Sequence, residues 1–274
     1  MKIVLVSRID EADALCYTAS LARELEDLGG HDVTFEKGTA EHLGEEGVPF
    51  EEIGGDLVVV VGGDGSVLLT VHQMKKQVPV LGINWGGEVG FLADLEPDEA
   101  GAFFATHTDG FRVESRMRVS LSVNGQLLGD ALNEGARRHR PSGEDAQVRR
   151  LRRRNARGAV PGRRSARIDP PDRFDRLRHE RGRPIVDPQI EGGFLLVPLA
   201  PYMLSSRPHL ISTQRTLEIT LETEKPAHLV IDGQSTFELA KESTLTVKKS
   251  DQPALFVHTG KPFFEKVNHK LRNL

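Results

Sequence analysis

The chain has 274 residues, 38% hydrophobic and 28% charged, which suits one large domain or two modest ones with a real core. Its net charge of −4 excludes a uniformly basic nucleic-acid binder, and a single cysteine, Cys16, excludes an internal disulfide framework. No apolar run approaches the ~18 residues of a membrane span and the opening run is too short for a signal peptide, so a cytoplasmic protein without a membrane partner is expected.

Residues 2–6 form a short apolar run that reads as a buried strand. A helix is predicted over residues 11–28, with Leu21, Leu25 and Leu28 at helical spacing and Gly29 as its stop. Residues 31–36 alternate apolar and polar, with Val33 and Phe35 on one strand face. The unbroken run Leu57-Val58-Val59-Val60-Val61 points to a strand buried on both faces, as in a parallel sheet. A glycine turn follows, then a predicted helix over 66–76 and a strand over 78–83. Pro97 opens a further helix, with Phe103 and Phe104 on its buried side. From residue 119 the pattern turns β-rich. Val119, Leu121 and Val123 alternate with polar residues and lead into an Asn124-Gly125 hairpin turn. Further strands are expected over 216–222, 228–231, 245–247 and 254–258, and a helix over 263–271, with Cys16 read as a packing residue. The expected fold is an N-terminal doubly wound α/β domain with a C-terminal β-rich, sandwich-like domain.

Charge is unevenly spread. Residues 135–183 hold 17 of the 25 arginines, no lysine and six acids, a net of +11. Composition alone offers a disordered basic insert or a nucleic-acid arm, yet neither explains a segment that uses only arginine.

Gly62-Gly63-Asp64-Gly65-Ser66 follows the most apolar strand and opens a helix. Glycines there permit positive φ and close backbone approach, and exposed amides at a helix start bind anions. Phosphate is the natural ligand. Asp64, the only carboxylate of the turn, is placed to take a proton from a hydroxyl or to hold a metal ion. An ordinary tight turn is the bland alternative.

The Gly62–Ser66 turn resembles the motif shared by NAD kinases, diacylglycerol and sphingosine kinases, and 6-phosphofructokinases. Further segments resemble NAD kinases in particular. They are Gly82-Ile83-Asn84 with Gly86 and Gly90-Phe91-Leu92, Leu132-Asn133-Glu134, Leu204-Ser205-Ser206-Arg207-Pro208, Asp232-Gly233-Gln234, and the tail Phe263-Phe264-Glu265-Lys266-Val267. The resemblance implies transfer of the ATP γ-phosphoryl group, or in some members polyphosphate, to the 2′-hydroxyl of the adenosine ribose of NAD, giving NADP. It implies Asp64 as general base, with Gly62, Gly63, Gly65 and Ser66 shaping the phosphate site. Phe91 would line the adenine pocket, and Asn133 and Glu134 would hydrogen-bond the dinucleotide. Magnesium or another divalent cation would accompany ATP. A homodimer or homotetramer would be the assembly, with no nucleic-acid partner. His209, His228 and His258 are scattered, and no protein metal cluster is expected. The domains would be 1–98 (α/β, phosphate site), 99–252 (β-rich, dinucleotide-binding) and 253–274, returning to the first. A lipid or sugar kinase sharing the turn, or a non-catalytic nucleotide or nucleic-acid binder, are the alternatives.

Two departures stand out. Three residues, Gly87, Glu88 and Val89, separate Gly86 from Gly90 where family members have two. The family's Thr-Pro-Thr-Gly-Ser-Thr-Ala-Tyr segment is missing, and Asp172–Arg178 stands near its place. That stretch back-translates as GAC CGG TTC GAC CGC CTA CGC; without its first base it reads Thr-Gly-Ser-Thr-Ala-Tyr. Residues 135–183 therefore look out of frame, since shifted GC-rich codons become arginine codons and seldom lysine codons. Irregular or poorly packed chain is expected there, with impaired activity.

Overall fold

The structure is a computed structural model and describes residues 1–86, 90–107, 110–133, 135–138, 150–153, 156–158, 165–170, 185–199, 207–220 and 227–272. The chain divides into two compact units, Met1–Ser115 with Ala254–Leu274, and Arg116–Pro253. The helix that begins near Pro97 thus belongs with the first unit, and the break falls later than residue 98.

The first unit opens with β1 (Lys2–Ser7), α1 (Ala12–Gly29), β2 (Asp32–Glu36), α2 (Lys37–Leu43), β3 (Gly47–Val48), β4 (Leu57–Gly62), α3 (Asp64–Gln73), β5 (Val80–Asn84), β6 (Ala93–Leu95), α4 (Ala100–Thr106) and β7 (Val113–Arg116). The second contains β8 (Val119–Val123), β9 (Gln126–Ala131), β10 (Gly135–Arg138), β11 (Arg150–Arg153), β12 (Ala156–Gly158), β13 (Ser165–Asp169), β14 (Gly193–Leu199), β15 (His209–Ser212), β16 (Leu217–Thr220), β17 (Ala227–Ile231), β18 (Ser235–Leu239) and β19 (Thr244–Lys249). The chain then returns to the first unit with β20 (Ala254–Val257) and α5 (Phe263–Arg272).

The sheet of the first unit runs β3-β2-β1-β4-β5-β20-β7, with β6 also paired to β5. The pairings β1–β2, β1–β4 and β4–β5 are parallel. Leu57 to Val61 are all fully buried, as their unbroken apolarity requires of a central strand covered on both faces. Helix α1 packs Ala14, Leu21 and Leu25 into the same core. Leu28, expected on that face, is 45% exposed in the last turn. The helix runs through Gly29, and Gly30 (φ 59°) makes the left-handed cap instead. Pro97 starts a 3₁₀ turn (Pro97–Glu99) that leads directly into α4, where Phe103 and Phe104 are buried as expected. Cys16 is exposed rather than packed, because it lies on the outer face of α1.

The second unit has two six-stranded sheets, ordered β15-β14-β13-β10-β17-β18 and β12-β11-β16-β19-β8-β9. Their alternating residues share one core. Val119, Leu121, Ile219 and Val247 come from one sheet, and Ile168, Phe194 and Leu229 from the other. The predicted hairpin is present, with Asn124 (φ 50°) and Gly125 (φ 87°) between β8 and β9.

The expectation of irregular chain over 135–183 fails for the strands described there. β10 lies between β13 and β17, and β11 between β12 and β16. Strand pairing uses main-chain groups that arginine supplies as well as valine. Ile168, 1% exposed, also gives the core an apolar contact. Residues 171–184, where the shifted motif falls, lie outside the described residues.

Candidate active site

Strand β4 delivers its last residue, Gly62, to the carboxyl edge of the sheet, and α3 begins two residues later. Ligands of open α/β sheets gather at that edge. The three glycines of the turn have distinct reasons to be glycine. A side-chain carbon on Gly62 would meet Ser66 Oγ at 2.5 Å and its Cβ at 2.8 Å, so Gly62 admits the first turn of α3 against the strand end. Gly63 and Gly65 face open space, with nothing within 4 Å of the same position. None of the three has positive φ, contrary to part of the sequence argument; close approach accounts for Gly62, while Gly63 and Gly65 keep the helix start clear of side chains. The N-cap Gly63 supplies no side-chain cap. The first N–H groups of α3 therefore stand at an uncapped helix start open to an anion.

Asp64 is held by main-chain amides. Its Oδ1 accepts from Phe91 N (3.0 Å), Leu92 N (2.8 Å) and Ala93 N (3.0 Å). Among the described residues its Oδ2 shares only the Phe91 N–H, at 3.1 Å. One oxygen is thus fully committed to the turn before β6, and the other keeps acceptor capacity. Gly90 lets that turn close, because a Cβ there would overlap Ala93 O and lie 3.1 Å from Asp64 Oδ1. Phe91 is 5% exposed and packs against Phe263, with ring centroids 6.3 Å apart. Gly86 (φ 136°) is described on the other side of the extra residue, while Gly87, Glu88 and Val89 lie outside the described residues.

Two neighbours of the turn escaped the sequence reading. Arg8, at the end of β1, has its Cβ 3.4 Å from where a Gly62 side chain would begin. Its guanidinium pairs with Asp10 (2.8 Å) and Glu11 (3.0 Å), and Asp10 is thereby pulled down to about 2. Trp85, the only tryptophan, donates its main-chain N–H to Gly62 O at 3.2 Å and leans its ring on Tyr17 with ring centroids 5.2 Å apart. Tyr17 donates to Pro97 O at 2.9 Å, and burial, with Glu24 and Asp98 nearby, raises its phenol to about 12.

The second unit carries the other motif. Asn133 is 9% exposed, and its Oδ1 is buried with no hydrogen-bond partner among the described residues. Such an acceptor is costly unless a ligand completes it. Asp232 orients this segment by accepting from Leu132 N (2.9 Å) and Asn133 N (2.8 Å), from a left-handed conformation (φ 50°) at the end of β17. Its signal in the sequence was the Asp232-Gly233-Gln234 segment, which the reading left without a role. Glu134 and residues 204–206 lie outside the described residues, and Arg207 is exposed.

Among the described residues, no group of three His, Cys, Asp or Glu side chains is arranged to hold a metal ion. No helix among them is long and apolar enough to cross a membrane.

Comparison with known proteins agrees with the geometry. Residues 3–110 match the family model described as the ATP-NAD kinase N-terminal domain, and residues 179–259 match the ATP-NAD kinase C-terminal domain. The chain is 74% identical to the NAD kinase of Methanoculleus marisnigri and 48% identical to that of Methanoregula boonei, over the whole of each chain. An NAD kinase from Archaeoglobus fulgidus, solved in complex with ATP, superposes with a TM-score of 0.77 at 25% identity over all of both chains. A yeast NADH kinase complexed with NADH reaches 0.86 at 17% identity, over 99% of this chain and 87% of that one, and shows the shared fold. A glycine turn at a helix start, an amide-held aspartate and full-length similarity to these relatives agree: the chain belongs to the NAD kinase family.

Proposed function

We propose that this chain transfers the γ-phosphoryl group of ATP to the 2′-hydroxyl of the adenosine ribose of NAD, with Asp64 as general base. The observation that carries the reading is the division of labour within one carboxylate. Oδ1 is tied to three amides, which fixes the side chain, and Oδ2 retains a lone pair for the hydroxyl proton. Phosphoryl transfer asks mainly for positioning and charge stabilisation. Gly62 brings Ser66 to the strand end, and Gly63 and Gly65 leave room for phosphate oxygens at the start of α3. Phe91 backs the adenine wall from within the core, where it is 5% exposed. Asn133 Oδ1 accepts from the dinucleotide, which completes the buried acceptor, and Glu134 is assigned a hydrogen bond to the same ligand.

A divalent cation fits this donor set as a passenger on the triphosphate. Asp64 is the turn's one carboxylate, and magnesium commonly keeps several waters and binds mainly through substrate phosphates. When bound, it offsets charge on the donor phosphates.

The segment 135–183 bears on rate. The family models stop at residue 110 and resume at 179, which leaves most of it unmatched. We read it as a frame-shifted stretch whose lost threonine, serine and tyrosine hydroxyls would have bonded the dinucleotide. The test is NADP formation from NAD and ATP-magnesium, followed through an NADP-specific dehydrogenase, by the chain and by a version with the frame restored. The restored version is expected to form NADP and the present chain to be slower. No NADP from the restored version, or phosphorylation of a lipid or sugar instead, refutes the kinase reading. Equal rates refute the reading of the segment.

A further inference from the structure

The tail Phe263–Val267 belongs to the family resemblance, yet the mechanism gives it no task. In the structure it meets the turn that Asp64 holds. Lys266 places its Nζ 3.1 Å from Asp94 Oδ2, and both side chains are largely buried, 11% and 16% exposed. Thr259 Oγ1 donates to the same carboxylate oxygen. Lys261 Nζ reaches Asp94 O at 3.0 Å and Glu99 Oε2 at 2.6 Å. Phe263 packs on Phe91. Asp94 directly follows Ala93, the last of the three residues whose amides grip Asp64.

The chemistry of this contact is informative. An apolar face on α5 would bury Val267 (2% exposed) and Phe263 without the desolvation cost of a lysine and an aspartate. A buried ion pair adds little net stability over such a face, but it specifies one geometry. We infer that α5 is a clamp on the catalytic aspartate. Lys266 and Phe263 are positioning residues that hold 91–94 in register, so that the three amides keep Asp64 Oδ1 fixed and leave Oδ2 facing the substrate hydroxyl. Asp64 is gripped by the turn, and the turn is gripped from its other end by the tail. The inference rests on the kinase reading only for its effect on rate.

The test uses the full-length chain and the variants Lys266→Met, Lys266→Arg and, as a control on an exposed neighbour, Glu265→Gln. Amide hydrogen exchange at residues 91–93 is read by mass spectrometry, and kcat and KM for NADP formation are measured in parallel. Lys266→Met is expected to speed exchange at 91–93 about tenfold with β4 unchanged, and to lower kcat with little change in KM for ATP. Arginine should restore both, and Glu265→Gln should alter neither. Unchanged exchange at 91–93 in Lys266→Met overturns the clamp whether or not NADP is formed. Equal loosening of β4 overturns it too, as general destabilisation. Faster exchange confined to 91–93 supports the clamp even where no variant forms NADP, because the segment 135–183 then limits turnover in all of them alike.

Discussion

Replacing Asp64 by alanine should cost stability as well as catalysis, and the size of the first effect follows from the geometry. The carboxylate accepts N–H groups from Phe91, Leu92 and Ala93 at 2.8–3.1 Å. Each hydrogen bond to a charged acceptor contributes about 1.5–3 kcal/mol when its partner stays dry, and less where water can replace it. These contacts are half-buried, so Asp64→Ala is expected to lose roughly 2–4 kcal/mol from the first unit. Asp64→Asn keeps one carbonyl acceptor for the amides but turns an amino group on Phe91 N, so roughly 1–2 kcal/mol should be lost. Urea unfolding followed by the fluorescence of Trp85 reports on this unit alone, because the chain has no other tryptophan. Both variants should also lose NADP formation. An aspartate that served catalysis alone would leave the midpoint unmoved or raise it. A change within 0.5 kcal/mol for the alanine variant would therefore refute the argument that these amides anchor the base.

Gly62→Ala forces a methyl group into Ser66 at the start of α3, and should lower stability by about 1–3 kcal/mol with loss of activity; an unshifted melting curve would show that the turn relaxes freely. Asp232→Ala frees the Leu132 and Asn133 amides and should raise KM for NAD while KM for ATP stays put, as steady-state kinetics can show. Tyr17 should ionise near 12, and a Tyr17→Phe variant should lose that late step from the absorbance titration at high pH. Because the folded state favours the neutral phenol, this stabilising contribution is whole below about pH 10 and lost as pH climbs through about 12.

Much of the fold was legible because its signals are local. The valine run at β4, the glycine turn after it and the Asn124-Gly125 hairpin each carry their own physics within a few residues. Helix α2 was missed because it is only seven residues long and is capped by Glu36, whose carboxylate accepts from Gly38 N and Thr39 N. Glutamate is not among the residues that usually announce a helix start. The exposure of Cys16 and Leu28 depends on how α1 meets the sheet, which spacing alone leaves open. Asp64 was visible as a lone carboxylate in a glycine turn. Its grip on residues 27 to 29 positions further along the chain was not, since only the folded sheet brings β6 beside α3. The same distance hid Asp232, which reaches back 99 and 100 positions to Asn133 and Leu132. In the arginine-rich segment the error ran the other way, because composition carries no information about main-chain pairing.

Among the described residues Asp64 is moored to peptide N–H groups and not to side chains, and this relaxes the demand on residue identity at the three donor positions. Any residue except proline can offer the same three donors, so positions 91–93 can change side chain without giving up the mooring. Gly90 has no such latitude, since a side chain there would run into Ala93 O, so the glycine and not the donors is what sequence drift at this corner has to spare.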